Sequence, residues 1–427
     1  FCERSQQMIL YNKKFYSVSD VDKYYELTKG KVPQYRILYE QGIKSAILAP
    51  ISESGNLLGV LEIVSNKPRL LNSVNANKLV DVMPYIVTAV KRSKAEEGNL
   101  IEAIIQQECT AIHPSVNWKF KKEAKLFLKN NVLGNQVSFG KITFNEVYPL
   151  YGQIDIKGSS EARNQATKQD LELQLNAAKK IIENAFLSES LPVYEQIMFQ
   201  INSYLKELEE NFQVDSEQQI SAFFRNEIAS LFEHLLKGNK FASEINNYFA
   251  ALDKRNKVLY KHRKKYDDTV TLINKQMACL LDCKQEEAQQ MYPHFFERFK
   301  TDGVEHNMYI GESITKENGF NLIYLYNLRL WQLQVMCEME NAFYLSQKDL
   351  PIALDVASMI LVFSTPLSIS FRMDEKRFDV DGTYNARYKV VKKRVDKAYI
   401  KGTKKRITEK GKITIVYSQK QDEIEYL

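Results

Sequence analysis

Glycine and proline are scarce, at 16 and 10 of 427 residues. That shortage of turn formers excludes a β-rich or low-complexity chain and points to long helices. Cysteine is rarer still. Cys2, Cys109, Cys279, Cys283 and Cys337 are odd in number and scattered, which excludes a disulfide framework and suits a reducing compartment, here read as the cytoplasm. The five histidines show no metal-ligand spacing. No apolar run exceeds the one near Val356–Phe363, far short of a bilayer crossing, and no signal-peptide pattern opens the chain. Phosphate-loop, dinucleotide-loop and nucleophile-elbow motifs are all missing, as are the marks of histidine kinase, diguanylate cyclase and phosphodiesterase domains. Nothing in the sequence dictates a catalytic chemistry, and it reads as a non-enzymatic protein.

What is present is ordinary for a globular chain. Apolar residues make up 44% and charged residues 26%, with 24 tyrosines and 22 phenylalanines. The length predicts two to four domains. Phe1-Cys2 opens the chain without a methionine, so it reads as a fragment whose neighbour would complete the first module.

The stretch from Gly42 to Val90 is the most patterned. Ser45–Ile51 and Gly59–Val64 are apolar runs separated by a Ser-Glu-Ser-Gly-Asn turn, which predicts an antiparallel hairpin closed at Gly55-Asn56. Leu79, Met83, Ile86, Val87 and Val90 then recur at helical spacing, with Asn72 or Ser73 to cap the helix and Pro84 to kink it. The strand ending near Pro50, the loop with Gly55, the Gly59-Val60-Leu61 start and the apolar helix resemble the closing half of a GAF domain, over roughly Gln34–Arg92. The resemblance implies a small-molecule sensing or scaffold module on a six-stranded type of antiparallel sheet, with any ligand near Tyr24–Tyr39 and Ala46–Leu48. The Asn-Lys-Phe-Asp-Glu motif of cyclic-nucleotide binders and a bilin-attachment cysteine are both missing, so it implies neither ligand.

Between residues 99 and 160 the sequence reads as a connector with short strands. His113-Pro114-Ser115 reads as a helix boundary capped by Ser115. Ile142 and Phe144 alternate as in a strand. Tyr148, Tyr151, Gln153 and Asp155 cluster around Pro149 and Gly152, which reads as a structured turn or the lining of a pocket. Gly158-Ser159-Ser160-Glu161 starts a helix, with Ser160 as cap.

Four amphipathic stripes follow over 161–300: Leu171 to Ala185, Val193 to Leu208, Ile220 to Leu235, and Leu259 to Leu280. They predict an antiparallel bundle. The lysines and arginines from Lys254 to Lys265 read as its solvated face. Asp302-Gly303 marks a break. Over 301–427 the pattern predicts a strand at Met308–Ile310, a helix at Leu322–Tyr344, a buried segment at Val356–Phe363, extended chain over Leu367–Val380, a helix at Thr383–Ile400 and a strand at Lys412–Tyr417, making a small α/β unit. Asp379-Val380-Asp381-Gly382 reads as a turn, because Arg377 and Tyr388 stand where a calcium loop needs carboxylates.

Charge gathers in one place. From Arg387 to Lys412 there are Arg387, Lys389, Lys392, Lys393, Arg394, Lys397, Lys401, Lys404, Lys405, Arg406, Lys410 and Lys412 against Asp396 and Glu409, in a chain whose whole net charge is +6. Tyrosines interleave it, as in surfaces that bind phosphate backbones. The expectation is an α+β protein: a partial GAF-like antiparallel sheet with its helix over 1–95, the connector, a mainly helical bundle, and a small C-terminal α/β unit. Its function is expected to be sensory or regulatory. The alternatives are polyanion binding through Arg387, Lys389, Lys392, Lys393, Arg394 and Lys397, or an enzyme of unrecognised fold. Its partners would be a small molecule, a second copy or another protein, and nucleic acid, with no membrane.

Overall fold

The computed structural model describes residues 3–133, 138–210, 212, 214–238, 241–254, 256–316, 319–381, 398–417 and 419–426. The protein is α+β. It divides into two compact units, Phe1–Ala111 with Phe120–Gly140, and Ile112–Lys119 with Lys141–Leu427.

In the first unit β1 (Tyr16–Val18), α1 (Val21–Leu27), α2 (Pro33–Glu40), β2 (Ser45–Glu53), β3 (Asn56–Ser65) and α3 (Leu79–Glu108) follow in order. The expected hairpin forms, with β2 antiparallel to β3 from Ser45↔Ser65 to Glu53↔Asn56. Its turn is one residue earlier than expected: Ser54 and Gly55 both take positive φ, 48° and 84°, the conformation that follows the twist of the strands. Asn72 caps the short helix Ser73–Asn77, accepting from Val74 and Asn75 N–H. The six-stranded sheet implied by the GAF resemblance is not found. Among the described residues the sheet is three-stranded, in the order β1-β2-β3. The short opening segment supplies only the three residues of β1 as a further strand, and β3 is the other edge of the sheet, with most of its residues half-buried. A hairpin followed by an amphipathic helix is a local pattern that many sheets share, which is why it misled.

Helix α4 (Pro114–Val132) begins in the second unit and ends in the first. The second unit then contains β4 (Thr143–Lys157), α5 (Ser159–Ser188), α6 (Pro192–Glu210), α7 (Val214–Phe223), a π turn (Phe224–Ile228), α8 (Ala229–Lys237), α9 (Ala242–Ala251), α10 (His262–Met291), β5 (Phe295–Thr301), β6 (Gly303–Ile310), α11 (Leu322–Ser346), β7 (Asp355–Val362), β8 (Leu367–Arg372), β9 (Arg377–Val380), β10 (Ile413–Val416) and α12 (Lys420–Glu423). Among the described residues the sheet has seven strands, in the order β10-β7-β4-β6-β5, with β8 on the first half of β4 and β9 on β8. β10 joins β7 in parallel and the other pairings are antiparallel.

The expected connector is therefore the central strand. Pro149 and Gly152 read as turn residues, but each has a strand reason. Pro149 lacks an N–H, and the β7 pairing begins only at Leu150, so the missing donor falls where one neighbour has not yet arrived. Gly152 faces His306, and a Cβ there would lie 2.3 Å from the imidazole Cε1 and 3.0 Å from Gln332 Nε2. Between Phe144 and Val147 the strand bulges, with Glu146 at φ 53°, and this bend lets one strand serve both β8 and β7.

Two layers cover the hydrophobic residues. Ile154, Ile156, Val304, Val356 and Ile360 of the sheet pack against Ile273 and Met277 of α10 and Met336, Met339 and Phe343 of α11. A second core joins α5 to α9 through Leu171, Leu175, Ile182, Ile197, Ile201, Phe224 and Phe232. The stripe of α5 is wholly buried as its spacing required. Val193 of the next stripe is 43% exposed, because it stands at the open first turn of α6.

Candidate basic groove at the end of the central strand

β4 ends at Lys157, Gly158 turns the chain, and α5 begins at Ser159. Gly158 takes the left-handed conformation, φ 68° and ψ 20°, and is the N-cap, with no side-chain hydrogen bond to the first turn. The expected cap by Ser160 is thus replaced. Ser159 is also committed elsewhere: its hydroxyl donates to Asp302 Oδ2 at 2.9 Å and lies 2.6 Å from the Tyr266 hydroxyl. With its proton spent on Asp302, Ser159 accepts from Tyr266. Asp302 also accepts the Ile156 N–H through its carbonyl at 2.7 Å, so the β5–β6 turn fixes the β4–α5 junction. The first turn of α5 thus has no side-chain cap from its N-cap residue and carries Glu161 at the positive end of the helix dipole.

Against this junction lies a second segment. Ala398 to Ile407 form a small hairpin, with Ile400 N–H donating to Lys405 O at 2.9 Å and Ile407 N–H to Ala398 O at 3.1 Å, and with Gly402 at φ 80° in its turn. The groove between them has a volume of ≈ 680 Å³ and is lined by Lys157, Lys404, Lys405, Arg406 and Lys410. Two carboxylates share it, Glu161 and Glu409. Arg406 approaches Glu161 at 3.7 Å and its guanidinium lies 6.0 Å from the Tyr399 ring centre. Lys410 pairs with Asp355 at 2.6 Å and sits 5.0 Å from the Tyr344 ring centre. Burial alone would raise the Asp355 carboxyl, but hydrogen bonds from Lys410 and Gln347 outweigh it and the net direction is down. Among the described residues Lys157, Lys404 and Lys405 make no ion pair. Five cations against two carboxylates, beside an aromatic edge, give this concavity a net positive lining.

Of the residues singled out for polyanion binding, Arg387, Lys389, Lys392, Lys393, Arg394 and Lys397 lie outside the described residues. So does most of the helix expected at Thr383–Ile400, while Tyr399 at its end is bridged to Arg406 in the hairpin. The later half of the basic stretch is described, and it converges with Lys157. That convergence was not legible, because Lys157 is remote in sequence and its neighbours read as turn chemistry.

The polar cluster on β4 resolves differently. Tyr148 stacks on Phe320 at 6.0 Å. Tyr151, Gln153 and Asp155 share the opposite sheet face from the helices, in register with Asn307, Glu305 and Gly303 of β6, and Tyr151 meets Tyr309 hydroxyl to hydroxyl at 3.4 Å. Gln153, Glu305 and Asn307 are all buried. Burial pushes the nearby Glu297 carboxyl up to about 7, with Arg377 opposing and Asp379 adding. His113 is a helix boundary, its Nδ1 2.8 Å from the Ser115 hydroxyl and its ring edge-on to Phe295. Among the described residues no group of three histidine, cysteine or acidic side chains is placed to hold a metal ion, and no helix is long and apolar enough to cross a membrane.

These buried groups set an expected acid response. Burial holds His306 down to about 4, and His294 likewise, with a Tyr292 carbonyl opposing and His113 adding. Each stays neutral in the fold while the unfolded chain protonates near 6.5, so stability is lost as pH falls from 6.5 towards 4. Glu297 has the opposite sign: its raised pKa penalises the fold as pH rises from 4.5 to about 7. In melting temperature followed against pH, His306→Gln should flatten the acid limb and Glu297→Gln should flatten the fall towards neutral pH. Unchanged profiles in both variants would refute the assignment.

Compared with known proteins, residues 165–277 match the model of a family described as YeeD uncharacterised protein. No GAF model matches, so the resemblance over Gln34–Arg92 is withdrawn. No curated protein and no solved structure matches the chain. What the chain is similar to is thus a helical segment, α5 to much of α10, of a family whose description assigns no activity.

Proposed function

We propose that this is a non-enzymatic regulatory protein that binds the phosphate backbone of nucleic acid through the groove at the β4–α5 junction. The observation that carries the reading is the meeting of Lys157 with Lys404, Lys405, Arg406 and Lys410 around one concavity, five cations against two carboxylates. Among the described residues Lys157, Lys404 and Lys405 make no ion pair, the arrangement that releases counterions when a phosphate arrives.

The test is the salt dependence of binding to an arbitrary DNA duplex, read by fluorescence anisotropy. Lys404→Ala with Lys405→Ala should weaken binding uniformly across sequences and lower the slope of log K against log salt by roughly 0.9 for each phosphate that is no longer neutralised. Stability should hardly move, because each exposed charge contributes about 0–1 kcal/mol. Failure to bind duplex or single strand at about 50 mM salt, where electrostatic binding is strongest, would end the proposal.

A further inference from the structure

A second cavity lies away from the groove, within the segment that matches the family model. Its volume is ≈ 910 Å³, at the upper end of the range for small-molecule sites. Its inner wall is apolar and aromatic. Phe224 and Tyr248 are buried there, with Phe249 and Leu252 half-buried. Tyr248 and Phe249 meet at 5.5 Å and 70°, and Phe232 supports Tyr248 from behind at 5.0 Å and 88°. The wall is held on its far side, where Gln174 Nε2 donates to the Tyr248 hydroxyl at 3.0 Å.

The π turn shapes the opening. Ala229 N–H donates to Phe224 O, five residues back, so Phe224 and Ala229 stand one above the other on the cavity wall. Wide turns of this kind break the side-chain register of a helix and occur often at functional sites. The rim is charged: Arg225, Lys254, Lys257 and Glu233 are exposed, and Asp253 is half-buried beside them. Asp253 is engaged by its own loop, its carboxylate accepting the Asn256 N–H at 2.8 Å and its carbonyl the Lys257 N–H at 2.9 Å. That loop holds Lys257 at φ 54°, a left-handed conformation that non-glycine residues seldom adopt, and both Lys254 and Lys257 line the mouth.

We infer that this cavity is a binding site for a small amphipathic anion, with a flat apolar body against Phe224, Tyr248 and Phe249 and an anionic head between Lys254, Lys257 and Arg225. Burying an apolar ring on an aromatic wall supplies affinity, and the rim cations select against a neutral analogue. The site is separate from the groove and does not depend on its function.

Calorimetric titration with naphthalene sulfonate and with the neutral naphthyl methanol tests the assignment. The sulfonate should bind saturably and more tightly than the alcohol. Lys254→Glu with Lys257→Glu, both exposed and free to change without disturbing the fold, should weaken the sulfonate about tenfold and leave the alcohol unchanged. Ala229→Trp should fill the cavity and abolish both. Absence of saturable sulfonate binding, equal binding of the sulfonate by the rim variant, or loss of binding in Lys404→Ala with Lys405→Ala, which would place the probe in the groove, would each overturn it. If Ala229→Trp does not fold, the rim variant alone decides.

Discussion

Replacing Asp170 with alanine is expected to destabilise the second unit by about 4 kcal/mol, combining the loss of a helix cap with the loss of charge-assisted hydrogen bonds at a fully buried carboxylate. Asp170 sits in the middle of α5, fully buried. Its carboxylate accepts the backbone N–H groups of Lys261, His262 and Arg263 at 3.2, 2.8 and 3.0 Å, and Arg263 Nε at 3.4 Å. Those three amides open α10, whose own N-cap residue, Lys261, makes no side-chain cap. A distant residue thus caps the helix and joins it to α5. Without the carboxylate, the amides lose their acceptor and Arg263 keeps only Glu217 at 3.1 Å and the Leu259 carbonyl at 2.9 Å. Asp170→Asn keeps one acceptor oxygen and should cost about half as much. Urea unfolding of both variants checks the ordering. A loss below about 1 kcal/mol for alanine, the level of an exposed pair, would show that the buried carboxylate contributes no more than a surface charge.

The second large effect is expected where residues 419–426 lie against α11. Arg329 is 3% exposed and pairs with Glu425. Its Nη2 donates to the Phe363 carbonyl at 3.3 Å. The Tyr426 hydroxyl donates to Gln332 Oε1 at 2.6 Å, and Gln332 Nε2 meets His306 Nε2 at 3.1 Å. Asp422 accepts from Ser364 N–H at 2.9 Å and from its hydroxyl at 2.6 Å. Burial lowers the pKa of Arg329 despite the nearby tyrosines and Asp422, which is the signature of a cation held out of water. Glu425→Ala should therefore cost about 3 kcal/mol, the low end for breaking a buried pair, since Glu425 keeps some water contact. Arg329→Met combined with Glu425→Ala should recover part of that stability, because no charge is left unpaired. A double variant that is less stable than Glu425→Ala would contradict this account.

How much of this was readable in the sequence depends on the range of the interaction. The stripes of α5, α6 and α10 were legible because a helix face repeats within a few residues. The hairpin β2–β3 and the helix α3 were legible for the same reason, but the number of strands beside them was not. β4 was misread because Pro149 and Gly152 have turn meanings locally and strand meanings only once β7 and His306 are in place. The basic stretch was visible as charge. Its meeting with Lys157 and the uncapped start of α5 was not, because Asp302 of a later turn fixes that junction. Asp170 and Arg329 gave no signal, since each looks like an ordinary helix-surface charge until a partner from another element buries it.

The place of β4 at the centre of the sheet bears on how the chain folds. β4 comes before α5 to α10, yet its sheet partners β6, β7 and β8 all come after them. During synthesis the helical segment can pack early from local contacts, while β4 waits with both edges unpaired until residues 303–372 have left the ribosome. Such long-range pairing is slow, and it leaves an apolar strand available to other chains in the meantime. Chaperone dependence and loss to aggregates should thus track the time between β4 and β7, not the stability of the finished fold.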